Sequence, residues 1–391
     1  LTRQRFAAEA LAVVRSHPEV ERAWLDEQEF AVRFVVHGSR EAAWLFLRNT
    51  FAELGTAPVE ARRARIEQMI TASTAAEPDW PEVLPLLRPV LRGDALGLLP
   101  PFDGRTRLRR PALPYLSEFV VVDQPTSMAY LTADRVRQWG VEPAEVFAAA
   151  RKNVAELQGQ RSRLSPPEAD AYALFCLTGD ADAYFTSWPL IDGYLAGVAD
   201  ELGGRPVIFM PDATTLMIMV DRPEVVAQLL PMIDEQYGNA PRQLSPAAYT
   251  VDASGAVVPY RAGEPGELAD RLHRAEVRLA VDEYTAQKRA LQIRYEQDGV
   301  DLYVSELMGV DRPDGSRFST AVWPVGTDAL LPEADFIGVV ASGDPVTVPW
   351  PIVRAEVGLQ PEPDLAPPRY RVTAALPPEV LARLHAEAVT P

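Results

Sequence analysis

LPYLSEFVVVDQPTSMAYLT, residues Leu113–Thr132, is the stretch whose reading decides the fold. Phe119 to Val122 and Met128 to Leu131 are β-branched or apolar runs, and Asp123, Gln124 and Pro125 between them are turn formers, so the spacing predicts a hairpin. Thr132 stands where a hydroxyl caps the helix ADRVRQW, and Gly140 stands where a helix ends in the left-handed region. Short hairpins of this kind interrupt strand–helix alternation, which favours an α+β fold of mixed, mainly antiparallel sheets with flanking helices over a doubly wound sheet.

Downstream the same punctuation recurs. Pro143 opens a helical pattern through Val146, Phe147, Ala150, Val154 and Leu157. After a linker from Gln158 to Pro167 a helical pattern holds Cys176, AYFTSW reads as a strand, and Asp192 is placed to cap GYLAGVADEL before Gly203 and Gly204. Val207–Met210 and Leu216–Val220 form a hairpin across Pro211 to Thr214. Asp221 and Pro223 open a helix that Pro231 should kink, and Asp252 to Gly255 turn another hairpin.

Upstream, Phe6 to Val14 is helical, strands flank Asp26 to Glu29, and helical patterns cover Ala42 to Leu54 and Val59 to Ile70. The last third opens with a long helical pattern carrying Leu268, Leu272, Ala275, Leu279 and Leu291. Alternating strands follow around the turn DRPDGS, and Pro377 opens a final helix. The pattern divides into an α-β-β-α-α module (1–80), a central α+β module (81–262) and a C-terminal α+β extension (263–391).

Composition narrows the functional classes. The chain has 391 residues, 47% hydrophobic and 24% charged, with a net charge of −17 and a pI near 4.8. A negative surface repels phosphate backbones and anionic headgroups, so nucleic acid and membranes are disfavoured partners. The one basic run, Arg105 to Arg110, reads as a solvated loop. A single cysteine offers no intramolecular disulfide, and no apolar run reaches the roughly 18 residues that span a bilayer, so a cytoplasmic location is expected. The sequence starts at a leucine, so the native start lies upstream or is an initiator codon written literally.

No reactive signature stands out. The four histidines lack neighbouring ligands at metal-site spacing, and there is neither a nucleophile elbow nor a phosphate-binding glycine loop. Cys176, within YALFCL, reads as core packing, and no cofactor is expected. The sharpest polar cluster is GDADAYF: Asp180, Asp182 and then Asp192 could offer oxygen ligands to Mg²⁺, although turn and cap chemistry explain them more simply. Tyr184, Trp188 and Tyr194 concentrate in the same region as candidate contact or pocket residues.

RPVLR at Arg88 to Arg92, AEVFAAARKNVAEL with Asn153, Asp192-Gly193-Tyr194 before a helix and the hairpin at Pro211 together resemble the YtpQ family of bacterial proteins, over roughly residues 6–260. The resemblance implies the order of elements and carries no reaction or catalytic residue. It leaves the C-terminal extension uncovered. The resulting expectation is a non-enzymatic, protein-binding factor, adaptor or chaperone-like, with another protein as partner and homo-oligomerisation open. The alternative is a metal-assisted hydrolase built on Asp180 and Asp182.

Overall fold

A computed structural model describes residues 1–27, 29–39, 42–74, 79–98, 106–124, 127–160, 175–178, 184–341 and 345–390. The chain is an α+β protein with mainly antiparallel sheets, and it folds as two compact units.

The first unit comprises Leu1–Leu87 and Val121–Val146. Its antiparallel three-stranded sheet, Val20–Asp26, Ala31–Val36 and Ala43–Phe46, is covered by the helices Arg3–Ser16 and Val59–Thr74. Phe6, Ala10 and Val14 lie one helical turn apart and pack with Phe34, Leu45, Ile66 and Ile70 in one apolar cluster. The third strand is a correction: the helix expected from Ala42 begins only at Arg48, because Ala43–Phe46 pairs with the preceding strand, Val32 opposite Leu45. The predicted hairpin forms, with Val121 opposite Tyr130 and Asp123 opposite Met128. Thr132 Oγ1 accepts the N–H of Arg135 at 3.3 Å, and Gly140 ends the helix at φ 68°.

The second unit comprises Arg88–Leu99, Thr106–Val120 and Phe147–Pro391. Its spine is the helix Glu267–Asp298, 32 residues long. Leu272 and Ala275, in its N-terminal half, pack into a cluster with Val207, Phe209, Met219 and Ile233 from the five-stranded sheet and the helix Pro223–Asn239. Further along, Ala280 and Tyr284 belong to a second cluster with Trp323, Leu331, Ile337, Val353 and Tyr370. That cluster joins a three-stranded sheet (Tyr303–Val304, Ala329–Pro332, Arg369–Val372) to a four-stranded one (Leu307–Asp311, Arg317–Pro324, Phe336–Val340, Val346–Pro349). One helix therefore serves two cores.

Pro231 lies inside the helix Pro223–Asn239. Its missing N–H leaves the carbonyl of Ala227 without its helical donor, and Arg271 Nη1 from the long helix donates to that carbonyl at 2.8 Å. Three local expectations fail. Cys176 lies on the strand Phe175–Thr178, not a helix, because it pairs with Met217 at the edge of the five-stranded sheet, and it is exposed there, not packed in a core. AYFTSW is not a strand: Phe185–Leu190 is a 3-10 helix entered through Tyr184 at φ 52° and holding Pro189, whose ring forbids a ladder hydrogen bond. Asp192 does not cap the following helix. The cap position belongs to Gly193 at φ 77°, and the almost fully exposed Asp192 carboxylate meets Arg151 at 3.4 Å.

Candidate functional site

The clearest gathering of chemically active side chains is in the second unit, where the long helix turns a polar stripe inward. His273, Glu276, Ala280, Glu283 and Gln287 recur at intervals of three and four, so they share one face of the helix. Above His273, Glu276 and Ala280 lies a cavity of about 290 Å³. Its walls come from separate stretches of chain, among them Tyr115, Tyr249, Arg261, Ser319, Glu333, Asp335 and Trp350.

Asp335 is the hub. Its Oδ2 accepts the N–H of Ser319 at 2.6 Å, the hydroxyl of Ser319 at 2.9 Å and Nε2 of His273 at 3.1 Å. Its own N–H donates to Ser319 Oγ at 2.9 Å, and its carbonyl accepts from Trp350 at 3.0 Å. These bonds tie Asp335 to the neighbouring strand just where the parallel pairing of Thr320 with Phe336 begins. Burial pushes the carboxyl up, but the donors from His273 and Ser319 outweigh it and hold it below the usual aspartate range. The same hydrogen bond raises the imidazole of His273.

Glu276 goes the other way. Burial raises its carboxyl despite an ion pair with Arg261. Two carboxyls in one cavity thus have their proton affinities pushed apart, the pattern that in enzymes separates acid from base. A nucleophilic serine relay is not assembled, however. Ser319 and His273 both address Asp335, whereas a relay needs the serine hydroxyl on the imidazole.

Tyr115 contributes a strained wall. It sits in the tight turn between Arg109–Leu113 and Leu116–Gln124 at φ 65°, a region that a bulky residue rarely adopts. Its carbonyl accepts the N–H of Asp94 at 3.0 Å, and its ring stands edge-on to Tyr284 at 6.1 Å. Burial pushes its phenol up, and Glu333, Glu276, Asp335 and Asp94 push it further.

Of the residues expected from sequence, Asp180 and Asp182 lie outside the described residues. Among the described residues no group of three or more His, Cys, Asp or Glu is placed to hold a metal ion. Trp188 and Tyr194 do come together, with ring centroids 5.7 Å apart, and Phe185 stands 5.0 Å from Trp188. Trp188 is 4% and Tyr184 6% exposed, so these rings form a packed aromatic cluster. Of the arginine run, Arg105 lies outside the described residues and the other three are engaged inside the unit: Arg107 Nη1 donates to the Leu96 carbonyl, Arg109 Nη1 to that of Asp94, and Arg110 pairs with the fully buried Glu118, which Arg151 also holds.

His273, Glu276, Asp335, Tyr115 and Trp350 were not singled out from sequence. The one available signal was the charged residues at helical spacing on a face that also carries Leu272, Ala280 and Tyr284. No helix among the described residues is long and apolar enough to cross a membrane. No family model, curated protein or solved structure matches the chain.

Proposed function

We propose that the second unit binds a small polar molecule in the cleft over His273, Glu276 and Ala280, and that the protein acts as a ligand-binding factor. The observation that carries this reading is the convergence of His273, Glu276, Arg261, Glu333 and Asp335 on one cavity. Partly burying five ionisable groups costs desolvation energy, and apolar residues of similar size would often hold such a junction as well or better. Ionisable groups with opposed shifts in a cavity are the ordinary mark of a functional site. The volume, about 290 Å³, suits a compact ligand at the lower end of the usual range of roughly 300–1,000 Å³.

The test is to equilibrate the full chain with a cell extract and examine it by native mass spectrometry and thermal melting. A small-molecule adduct that raises the melting temperature, and that Glu276→Gln together with His273→Gln abolishes, is expected. Unchanged melting in every extract, or an adduct indifferent to both substitutions, sinks the reading.

A second reading, contact with another protein, draws on the edge strand Leu307–Asp311. It exposes Met308 and Val310, 41% and 37% accessible, beside a free backbone edge of the kind that accepts an added strand. Met308→Lys with Val310→Lys should then abolish pull-down of a stoichiometric partner; a partner retained by that variant removes this reading.

A further inference from the structure

We infer that the occupant of the cleft carries an N–H-bearing cation, a primary ammonium or a guanidinium on a short stem. This rests on the cleft being a ligand site and adds the chemical class of the ligand.

Charge comes first. The lining holds three carboxylates, Glu276, Glu333 and Asp335, against two cationic groups, Arg261 and His273. The two cations are also the more exposed partners of their pairs: Arg261 is 63% accessible against 25% for Glu276, and His273 43% against 30% for Asp335. Positive charge at the mouth is screened by water, whereas negative charge deeper in acts at a lower effective dielectric. Tyr115 lies among the same acids: burial raises its phenol, and Glu333, Glu276, Asp335 and Asp94 raise it further.

Hydrogen-bonding capacity is the second, independent argument. A carboxylate offers about four lone-pair sites on two oxygens. Among the described residues, the protein's hydrogen bonds to these three groups fall on one oxygen of each: Arg261 on Oε1 of Glu276, Tyr370 on Oε1 of Glu333, and His273 with Ser319 on Oδ2 of Asp335. The second oxygens are reached by solvent, and a ligand's donors can take the place of water there. An ammonium or guanidinium brings donors and the complementary charge together, a quaternary ammonium brings charge alone, and a carboxylate ligand brings neither.

Aromatic walls fit the same guest. Tyr115, Tyr249 and Trp350 are among the lining residues, and aromatic rings attract cations. At about 30 Å³ for each water-sized group, 290 Å³ admits on the order of ten, so a head group and a short stem fit within it.

The experiment titrates the full chain at low ionic strength with n-butylammonium, methylguanidinium, tetramethylammonium, n-butanol and butyrate, using calorimetry and ligand-observed NMR. Butylammonium and methylguanidinium should bind at least ten times more tightly than butanol, tetramethylammonium more weakly than either, and butyrate not at all. Glu333→Gln should weaken butylammonium at least fivefold, and Asp192→Asn, remote and exposed, should change nothing. If butanol or butyrate binds as well as butylammonium and all are lost in Glu276→Gln, the ligand class is wrong while the cleft remains a binding site. If no probe binds, the cationic class is overturned, and the extract experiment decides separately whether the cleft binds another small molecule. Butylammonium binding unaltered by Glu276→Gln and Glu333→Gln combined places the cation elsewhere and overturns the proposal. The comparison of butylammonium with butanol uses the unaltered chain, so it holds even if a variant misfolds.

Discussion

Glu283 Oε2 accepts the backbone N–H of Ala95 at 2.9 Å, and the same carboxyl lies so close to Gly93 that a β-carbon there would meet Oε1 at 1.9 Å. The long helix is thereby seated on the turn whose middle residue, Asp94, donates its N–H to the carbonyl of Tyr115. Burial pushes Glu283 up to about 7, only partly offset by the Ala95 N–H, with Asp94 and Asp282 adding repulsion. A carboxyl raised on folding binds more protons folded than unfolded between its ordinary value and about 7, so stability falls as pH rises through that window. Glu283→Gln keeps an acceptor for Ala95 and cannot ionise. It should stabilise the protein at pH 8 by roughly 3 kcal/mol, since a carboxyl raised from 4.5 to about 7 loses about 1.36 kcal/mol for each tenfold change in proton affinity, and have little effect below the ordinary glutamate range. Urea unfolding of both proteins at pH 5 and pH 8 reads the difference; equal effects at the two values exclude this origin.

The His273–Asp335 pair works with the opposite slope at each end. His273 is raised on folding, so its contribution is full below its ordinary value of 6.5 and is lost as pH climbs through the folded value. Asp335 is lowered, so its contribution is full above its ordinary value of 3.8 and is lost as pH falls through the folded value. Since both side chains retain solvent access, the pair should contribute no more than about 1 kcal/mol between those limits. An NMR titration of the imidazoles, with His273 assigned through His273→Gln, should give it a midpoint above 6.5. A midpoint at or below that value contradicts the geometry.

What could be read from sequence was local. Thr132 and Gly140 bound their helix, Asp252 turns its hairpin by accepting the N–H groups of Ser254 and Ala256, and the long helix fills its predicted span, because caps, turns and periodicity act within a few residues. What failed depended on neighbours distant in sequence. Cys176 is a strand residue because Met217 pairs with it, and Ala43–Phe46 is a strand because Ala31–Phe34 needs a partner. The cleft was invisible for the same reason. Tyr115, Tyr249, His273, Asp335 and Trp350 have no fixed spacing, and only the folded second unit brings them onto one cavity. Asp192 shows the converse error: its residue type suits a cap, but Gly193 takes the position and leaves the carboxylate outside.

Arg271 and Pro231 form a pair that a double-mutant cycle can isolate. The guanidinium of Arg271 stands in for the amide that Pro231 lacks, on the carbonyl of Ala227. Arg271→Ala alone should cost about 1–2 kcal/mol, the price of leaving that carbonyl underbonded. In the Pro231→Ala background the regained N–H can bond the carbonyl, so Arg271→Ala should then cost under about 0.5 kcal/mol, the size of an ordinary surface substitution. Thermal unfolding of the four proteins gives the coupling; strictly additive effects would show that Arg271 acts through some other contact, such as Glu267.

Arg369 puts the largest single charge risk in the core of the second unit. It is fully buried, and its guanidinium donates to Gln287 Oε1 at 2.6 Å, to the carbonyls of Ser305 at 2.7 Å and Leu330 at 3.2 Å, and to that of Tyr284 at 3.2 Å. Every one of these acceptors is neutral, so the charge is held by dipoles and by the ring of Tyr284, whose centroid lies 5.1 Å from the guanidinium carbon, and burial lowers its pKa to about 10. The guanidinium still carries its proton at neutral pH, and it ties the long helix to both strands of the Ala329–Pro332 and Arg369–Val372 pair. Arg369→Met matches its volume but strips donors from several buried acceptors at about 1–3 kcal/mol each, so a loss of at least about 3 kcal/mol is expected. Replacing Gln287 as well, by Leu, removes one of those stranded acceptors but takes the donor from the Pro367 carbonyl, so the double variant should recover little of the loss. Chemical denaturation of the single and double variants decides it: if Arg369→Met costs under about 1 kcal/mol, the buried guanidinium is not what holds the helix to these strands.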